Sequence, residues 1–412
     1  MQIAMKQLAG LLCAIVAATA SHAADTRWLA GWGSSPIESH VVIPGVPADK
    51  IPPSPIIRGT LRYRLPLSQA GNRLILRLTN EANKQPLSLR AVTVGVADTG
   101  VNARPGTLKK VTFGGHSAVT IAGGTPAVSD PVDLPVTAET VIVSLFLPND
   151  TEFALGQRGV QAVSLAARDA TLLPVMEGAS PTIARTPVSA ILVAGGPDSH
   201  TIVAFGDSIT DGGIGATADV RGWPGHLARR LLQASGGSRM AVANEGLAGN
   251  RILNDVIGAS ALARFDRDVL SLPNVSHVIL LEGINDIGFA RLPDNANPGP
   301  AVSSDGLIAG YRQLIGRAHQ HGIQVIGGTL LPFQGAMYYS AEGDQTREAV
   351  NKWIRTGGEF DAVVDFDRAL RDPAEPRKLA AAYDSGDHLH PSDAGFKAMA
   401  MTFTLSELSG SR

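Results

Sequence analysis

One stretch of the sequence, Thr201-Ile-Val-Ala-Phe-Gly-Asp-Ser208, is an apolar run that ends in a glycine, an aspartate and a serine. A short apolar run that stops at a glycine is typical of a buried β-strand followed by a turn. Similar segments recur downstream, and they predict strands at residues 201–205, 240–244, 277–281, 324–329 and 362–365. Amphipathic segments between them predict helices at residues 223–233, 262–270, 307–321, 346–355 and 393–405. Strands that alternate with helices predict a parallel sheet covered on both faces.

Residues 28–194 show a different pattern. Segments such as 73–78 and 140–146 alternate apolar and polar side chains, and clusters of Gly, Pro, Asn and Asp separate them. A period of two places the apolar side chains on one face of a strand, which is typical of an antiparallel β-sandwich. We therefore predict a jelly-roll-like β-sandwich domain at residues 24–196, either carbohydrate-binding or structural. The α/β domain is predicted to follow it at residues 197–412.

The composition is that of a folded protein without a strongly charged surface. The chain has 412 residues, of which 44% are hydrophobic and 17% charged, and its formal net charge is −2. This apolar content excludes a disordered chain, and the length is sufficient for two domains with separate cores. Because the charge is nearly balanced, we predict neither a nucleic-acid partner nor a membrane-surface partner.

The N-terminal segment has the features of a secretory signal peptide. Lys6 precedes an apolar run at residues 8–20, and Ser21 and Ala23 supply the small residues of a signal-peptidase site. We predict that residues 1–23 are removed, that the protein is exported to the periplasm or beyond, and that it keeps no membrane anchor. The one cysteine, Cys13, lies within this segment. A mature chain without cysteine excludes disulfides, a thiol nucleophile and cysteine-ligated zinc.

Polar residues follow the predicted strands of the α/β domain, and ligands bind at this end of a parallel sheet. Ser208 stands directly after the first strand and a turn glycine, which is a suitable position for a nucleophile. Gly249 and Asn285 lie in the next two loops and can supply a backbone N–H and an amide to a developing oxyanion. Taken singly, each residue has a simpler explanation, because serine and glycine are common in turns and asparagine often caps helices.

The last polar cluster reads Asp384-Ser-Gly-Asp-His-Leu-His-Pro-Ser-Asp393. A serine nucleophile needs a base, and a neutral imidazole oriented by a carboxylate is the usual solution. Asp387 and His390 can meet within one turn, which makes His390 the predicted base and Asp387 its orienting acid. His388 competes for the role of base. Two histidines beside Asp387 also suggest a metal site, but no further ligands are evident, so we predict no metal and no cofactor.

Together, these segments resemble the SGNH or GDSL hydrolase family. Its four blocks are matched in order by Gly206-Asp-Ser208, Asn244-x-Gly246-x-x-Gly249, Gly283-x-Asn285-Asp286 and Asp387-x-x-His390. The resemblance implies a flavodoxin-like three-layer α/β/α fold, with Ser208 as nucleophile, His390 as base and Asp387 as its acid. It also implies an oxyanion hole formed by the N–H groups of Ser208 and Gly249 and the side-chain amide of Asn285.

The resemblance extends to exported bacterial members that carry an N-terminal β-domain. Residues 28–32, 76–81, 264–268 and 354–358 are similar to that subgroup, some of whose members are associated with xylan-degradation genes. The resemblance therefore implies a serine esterase that cleaves short acyl groups, O-acetyl above all, from carbohydrate derived from plant polysaccharide. The alternatives are a lipase or aryl esterase that acts on non-carbohydrate esters, and a catalytically inactive carbohydrate-binding protein.

Aromatic residues after the fourth predicted strand are candidates for the substrate site: Phe333, Tyr338 and Tyr339. Aromatic faces suit sugar rings, whereas aromatic residues in a loop can equally pack on the core. We predict that these three side chains line the acyl or sugar site.

Overall fold

The structure is a computed structural model that describes residues 27–39, 44, 46–156, 162–214, 220–234, 239–290, 292 and 301–408. The predicted signal peptide at residues 1–23 lies outside these described residues. No helix in the described part of the chain is long and apolar enough to cross a membrane.

The N-terminal domain consists of antiparallel β-strands. Its described strands are β1 (Arg27–Gly33), β2 (Ile56–Pro66), β3 (Ala70–Thr79), β4 (Leu87–Leu89), β5 (Ala91–Val96), β6 (Lys109–Val111), β7 (Val119–Ile121), β8 (Pro126–Val128), β9 (Val132–Thr137), β10 (Thr140–Glu152), β11 (Ala162–Ala166), β12 (Ser180–Pro181) and β13 (Val188–Gly195), with a 3₁₀ turn at Ala48–Lys50. One antiparallel sheet has the order β1-β13-β3-β8, with β9 also paired to β3. A second has the order β12-β11-β2-β10-β5-β6, and β4 pairs with β7.

The two large sheets face each other across one apolar core. In β3 the alternate residues Leu74, Leu76 and Leu78 are fully buried. Tyr63 of β2 and Val143 of β10, from the opposite sheet, belong to the same core. Because side chains on a strand alternate between its two faces, this burial follows directly from the period of two in the sequence. The predicted antiparallel β-sandwich is therefore confirmed.

The C-terminal domain alternates strands and helices. Its described strands are β14 (His200–Gly206), β15 (Met240–Gly246), β16 (Val275–Leu281), β17 (Gln324–Gly328) and β18 (Ala362–Val364), and they pair in parallel. Its described helices are α1 (Ser208–Asp211), α2 (Gly222–Ala234), α3 (Ala261–Phe265), α4 (Ile284–Phe289), α5 (Ser304–Gln320), α6 (Ala341–Thr356), α7 (Phe366–Leu370), α8 (Asp393–Met401) and α9 (Leu405–Leu408), with a π-helical turn at Asp266–Leu270.

The parallel sheet has the strand order β15-β14-β16-β17-β18. This is the order of the flavodoxin-like doubly wound fold, which confirms the predicted α/β/α architecture. The residues of β14 and β16 are almost continuously buried because helices cover both faces of the sheet. The strand order reverses at β14, so the carboxyl ends of β14 and β16 border the crevice where such sheets bind ligands. The loops that carry Ser208 and Asn285 begin at this edge.

The predicted strands and helices of this domain are all present, with shifts at the helix ends. Helix α6 begins at Ala341, before the predicted start at residue 346, because the Ser340 hydroxyl accepts the N–H of Gly343 and caps it. The helix predicted at residues 262–270 changes from α to π geometry at Asp266. The last predicted helix, at residues 393–405, ends early, since α8 stops at Met401 and α9 begins only at Leu405. Helices α1, α4 and α7 were not predicted, since segments of four to six residues are too short to show a helical period.

The two domains are joined through buried hydrogen bonds. The Ser68 hydroxyl, in the N-terminal domain, both donates to the carbonyl oxygen of Val242 and accepts its N–H, each at 2.9 Å. The N–H of Ala30 in β1 donates to the Thr201 hydroxyl in β14 at 3.1 Å. The β-sandwich therefore packs directly against the edge of the parallel sheet at β15.

Candidate active site

The turn between β14 and α1 holds Ser208. A Cβ atom at Gly206, the last residue of β14, would lie 2.1 Å from the carbonyl oxygen of Leu281, so only glycine fits beside the neighbouring strand. Asp207 caps α1, since its Oδ1 accepts the N–H of Ile209 at 2.9 Å. Ser208 is then the first residue of the helix, and it is 8% exposed. Strand, glycine and cap together fix the backbone of the serine.

Ser208, His390 and Asp387 form one hydrogen-bonded chain. Nε2 of His390 lies 2.8 Å from Oγ of Ser208, and Nδ1 of the same ring lies 2.6 Å from Oδ2 of Asp387. When Nδ1–H donates to the carboxylate, Nε2 is the atom that can accept the serine proton. Ser392, which caps α8, follows His390 closely and fixes the start of that helix. This geometry meets the requirement for a general base within reach of a hydroxyl nucleophile.

Asp387 is held in its charged form. Burial raises its pKa. The hydrogen bond and the charge of His390 lower the pKa, as do the backbone N–H groups of His390 and Leu389, and together they outweigh burial. These two N–H groups donate to Oδ1 of Asp387 at 2.8 and 3.0 Å. The pKa of Asp387 therefore lies well below its usual range, and the carboxylate is available to orient the imidazole.

His388 belongs to a separate pair. Its Nδ1 lies 2.6 Å from Oδ2 of Asp384, and its side chain is 55% exposed. His390 occupies the position next to Ser208, so the structure brings His390, and not His388, into the chain with the serine. Within the ranges that the structure describes, no group of three or more His, Cys, Asp or Glu residues is placed to hold a metal ion.

The loops that carry Gly249 and Asn285 are in direct contact. Nδ2 of Asn285 donates to the carbonyl oxygen of Asn250 at 3.0 Å, and its Oδ1 accepts the hydroxyl of Tyr338 at 3.2 Å. These bonds fix the amide plane, and the second hydrogen on Nδ2 can be donated to a bound substrate. Gly249 lies in a turn. The N–H of Asn250 closes this turn by donating to the carbonyl oxygen of Leu247 at 3.0 Å.

The three aromatic residues predicted to bind substrate form a packed cluster. Phe333 has no exposed surface, and its ring centroid lies 6.1 Å from that of Tyr338 and 5.2 Å from that of Tyr339. A sugar ring cannot stack on a ring without an exposed face, so the predicted role does not fit Phe333. Tyr338 is 5% exposed and directs its hydroxyl to Asn285. Tyr339 is partly buried and stays a predicted substrate contact.

Arg264 is a residue of this region that the sequence patterns did not identify. It lies on α3, is 1% exposed, and donates to the carbonyl oxygen of Gly206 at 2.9 Å and to Oδ1 of Asn250 at 2.8 Å. Two buried glutamates lie beside it, Glu245 and Glu282. Burial and the nearby charge of Asp268 raise the pKa of Glu245 to about 8. The only sequence signal was the family resemblance of the segment that contains this arginine.

The sequence from residue 204 to residue 398 matches the family model of the GDSL-like lipase/acylhydrolase family. No curated protein sequence matches the chain. Among solved structures, the acetylxylan esterase Axe2 from Geobacillus stearothermophilus is 22% identical, with 52% of this chain and 95% of that chain covered and a TM-score of 0.39. A GDSL-like lipase from Bacteroides thetaiotaomicron is 18% identical, with coverages of 51% and 87% and a TM-score of 0.37.

A third solved structure, the α/β hydrolase LAE5 from the Lake Arreo metagenome, is 23% identical, with coverages of 49% and 92% and a TM-score of 0.39. The family match includes all five residues of the proposed triad and oxyanion hole: Ser208, Gly249, Asn285, Asp387 and His390. The C-terminal domain therefore belongs to the GDSL-like lipase/acylhydrolase family, and the chain is an ester hydrolase.

Proposed function

We propose that the chain is a serine esterase that removes short acyl groups, O-acetyl above all, from carbohydrate derived from plant polysaccharide. One observation carries the catalytic part of this proposal: His390 bridges Ser208 and Asp387 at 2.8 and 2.6 Å. In acyl transfer, a serine hydroxyl is activated as a nucleophile when it is hydrogen-bonded to an imidazole and a carboxylate orients that imidazole.

The proposed reaction has two halves. Oγ of Ser208 attacks the ester carbonyl while His390 takes the serine proton. The oxyanion of the tetrahedral intermediate accepts hydrogen bonds from the N–H groups of Ser208 and Gly249 and from the amide of Asn285. The intermediate then expels the alkoxide, which takes the proton from His390 and leaves an acyl-serine. Water attacks this ester with His390 again as base, and the carboxylic acid is released as Ser208 regains its proton.

The substrate part of the proposal rests on other observations. Residues 28–32 and 264–268 resemble exported hydrolases with an N-terminal β-domain, which implies a carbohydrate ester. A lipase or aryl esterase and an inactive carbohydrate-binding protein are the alternatives that the experiments below separate.

The catalytic part is tested with Ser208→Ala against a matched serine variant, Ser303→Ala. Within the described residues, the Ser303 hydroxyl caps α5 by accepting the N–H of Gly306. We expect Ser208→Ala to lower the hydrolysis of 4-nitrophenyl acetate by about 10⁴-fold or more, and Ser303→Ala to keep the activity. A fluorophosphonate should label the wild type and Ser303→Ala but not Ser208→Ala. Full activity of Ser208→Ala contradicts the mechanism, and a wild type that neither labels nor hydrolyses the ester supports the binding protein.

The substrate part is tested by a panel of esters. The purified protein is assayed on acetylated xylan, on simple sugar acetates and on 4-nitrophenyl esters of increasing chain length. We expect release of acetate from the sugars and a rate that falls as the acyl chain grows. A rate that rises with chain length, without action on sugar acetates, supports the lipase or aryl esterase instead.

The cellular location is a further part of the proposal. We propose export, on the basis of Lys6, the apolar run at residues 8–20 and the small residue Ala23. N-terminal sequencing of the protein from periplasm or medium should then begin at Ala24. A protein that keeps Met1 and stays in the cytoplasm contradicts export and leaves the catalytic proposal intact.

A further inference from the structure

Arg264 fills the space beneath the loops that carry the proposed catalytic groups. Its guanidinium donates to the carbonyl oxygens of Gly206 at 2.9 Å and Glu245 at 2.8 Å, and to Oδ1 of Asn250 at 2.8 Å. The ring of Phe205 lies against the guanidinium, 4.0 Å from it. The guanidinium is rigid and planar, so it fixes the ends of β14 and β15 and the following loop relative to one another.

Two of these acceptors are adjacent to proposed catalytic groups. Gly206 ends β14 two residues before Ser208. Asn250 follows Gly249, and its carbonyl oxygen accepts the amide of Asn285 at 3.0 Å. A displacement of the arginine would therefore shift the nucleophile and the oxyanion donors together.

The N-terminal domain supplies another partner of this arginine. Nη1 of Arg264 donates to Oγ of Ser35 at 3.0 Å, and the Ser35 hydroxyl donates to Oε2 of Glu245 at 2.9 Å. Ser35 is 1% exposed, and Nη2 of Arg185 holds its carbonyl oxygen at 3.0 Å. A hydroxyl of one domain thus lies between a buried guanidinium and a buried carboxyl group of the other.

The fit of residues 33–35 against the hydrolase domain is close. A Cβ atom at Gly33 would lie 2.3 Å from Oε1 of Glu245. The carbonyl oxygen of Gly33 accepts Nη1 of Arg221 at 2.9 Å, and Nε of the same arginine donates to the carbonyl oxygen of Asp211, the last residue of α1, at 3.0 Å. The segment therefore contacts both the buried guanidinium beneath the loops and, through Arg221, the helix that begins with the nucleophile.

We propose that Ser35 and Arg264 are positioning residues of the hydrolase site, so that the N-terminal domain is a structural part of that site. The inference rests on the proposed function, since Ser208 and Asn285 are the groups being positioned. Loss of the Ser35 hydroxyl removes one of three acceptors of Nη1, which also donates to the carbonyl oxygen of Glu245 and to Oδ2 of Asp268. It also removes the hydrogen bond to the buried carboxyl group of Glu245. Buried groups that lose a hydrogen bond shift to regain one. A displacement of about 1 Å is sufficient to lower a catalytic rate by about 100-fold.

The test compares Ser35→Ala with Ser34→Ala. Both serines are buried in the same segment, but Oγ of Ser34 accepts a hydrogen bond from Arg185 at 3.3 Å and not from Arg264. With 4-nitrophenyl acetate we expect Ser35→Ala to lower kcat by about tenfold while KM changes by less than about twofold. Ser34→Ala should keep kcat within about twofold of the wild type. Thermal unfolding of each variant verifies that it is folded at the assay temperature.

Arg264→Lys provides a second measurement. Lysine keeps the positive charge but lacks the planar fork, so we expect a loss in kcat of about 100-fold with a smaller change in KM. Where this variant does not fold, the comparison of the two serine variants is sufficient.

Two outcomes overturn the inference: Ser35→Ala keeps the wild-type kcat, or Ser34→Ala loses as much activity as Ser35→Ala. Ser208→Ala distinguishes these failures from a failure of the proposed function. If Ser208→Ala is inactive and Ser35→Ala is fully active, the proposed triad stands and only the positioning role of Ser35 is contradicted. If Ser208→Ala is active, the proposed function itself is contradicted.

Discussion

Nε2 of His390 lies 2.8 Å from Oγ of Ser208, although the two residues are 182 positions apart in the chain. The fold explains this distance. Ser208 leaves the carboxyl end of β14, and His390 stands just before α8, which packs against α2. Nε2 of His226, in α2, lies 3.2 Å from Oδ1 of Asp393, the first residue of α8. The docking of α8 on α2 therefore sets the distance between the proposed nucleophile and its proposed base.

The identity of the base can be tested by comparing two histidines. We expect His390→Ala to lower kcat/KM for 4-nitrophenyl acetate by about 10⁴-fold or more, because no other group is placed to take the serine proton among the described residues. His388→Ala should stay within about threefold of the wild type, since its ring is paired with Asp384 and largely exposed. Comparable losses in both variants contradict this assignment.

Asp387→Asn tests the orienting carboxylate. An amide in this position favours the wrong tautomer of His390, so we expect kcat to fall by about 10³- to 10⁴-fold. The pKa of Asp387 lies well below the value of about 3.9 of an unfolded chain. Its contribution to stability is therefore present above about pH 4 and is lost as the pH falls through the folded-state pKa.

Thermal unfolding of wild type and Asp387→Asn verifies the sign of this effect. The wild type should be the more stable protein at neutral pH, and the difference should shrink below about pH 4. The half-exposed position of the carboxylate keeps the difference small. A difference that grows on acidification is inconsistent with a lowered pKa.

Asn285→Ala tests the oxyanion hole. Removal of one donor should lower kcat by about 10²- to 10³-fold and change KM much less, because the donor binds charge that develops only in the transition state. Tyr338→Phe removes the hydroxyl that fixes the amide and should lower kcat by less than about tenfold. A larger effect for Tyr338→Phe than for Asn285→Ala would require a direct role for the tyrosine.

The architecture could be predicted because it depends on local patterns. Alternate burial of Leu74, Leu76 and Leu78 is visible as a period of two, and the buried strand at residues 201–205 is visible as an apolar run. The order of the loops, together with the family resemblance, was sufficient to select Ser208 and the region around residues 384–393.

Other features depend on which residues meet in space, and no local pattern carries that information. His388 and His390 both lie near an aspartate in the sequence, and only the docking of α8 separates their roles. Ser35 and Arg264 are 229 positions apart and in different domains. Phe333 was predicted to line the acyl or sugar site because it follows the fourth predicted strand, but its ring is buried among other aromatic side chains.

Glu245, a buried glutamate beside Arg264, makes stability depend on pH in the opposite direction from Asp387. Burial and the nearby charge of Asp268 raise the pKa of Glu245 to about 8, despite the opposing charges of Arg221 and Arg264. The pKa of glutamate in an unfolded chain is about 4.3. Between these two values the folded chain holds a proton that the unfolded chain releases. The free energy of unfolding therefore falls as the pH rises through this window.

Glu245→Gln should reduce this fall, because glutamine has no proton to release. The melting temperature of the wild type should fall between about pH 5 and pH 8. We expect this fall to be smaller in Glu245→Gln by about 3 °C or more. Burial also raises the pKa of Asp207, to about 7, so part of the loss should persist. Glu359→Gln is the matched control: hydrogen bonds from Arg312 and Trp353 lower the pKa of Glu359 to about 2, outside the window. An unchanged loss in Glu245→Gln would show that Glu245 is already ionised at pH 5 in the folded protein.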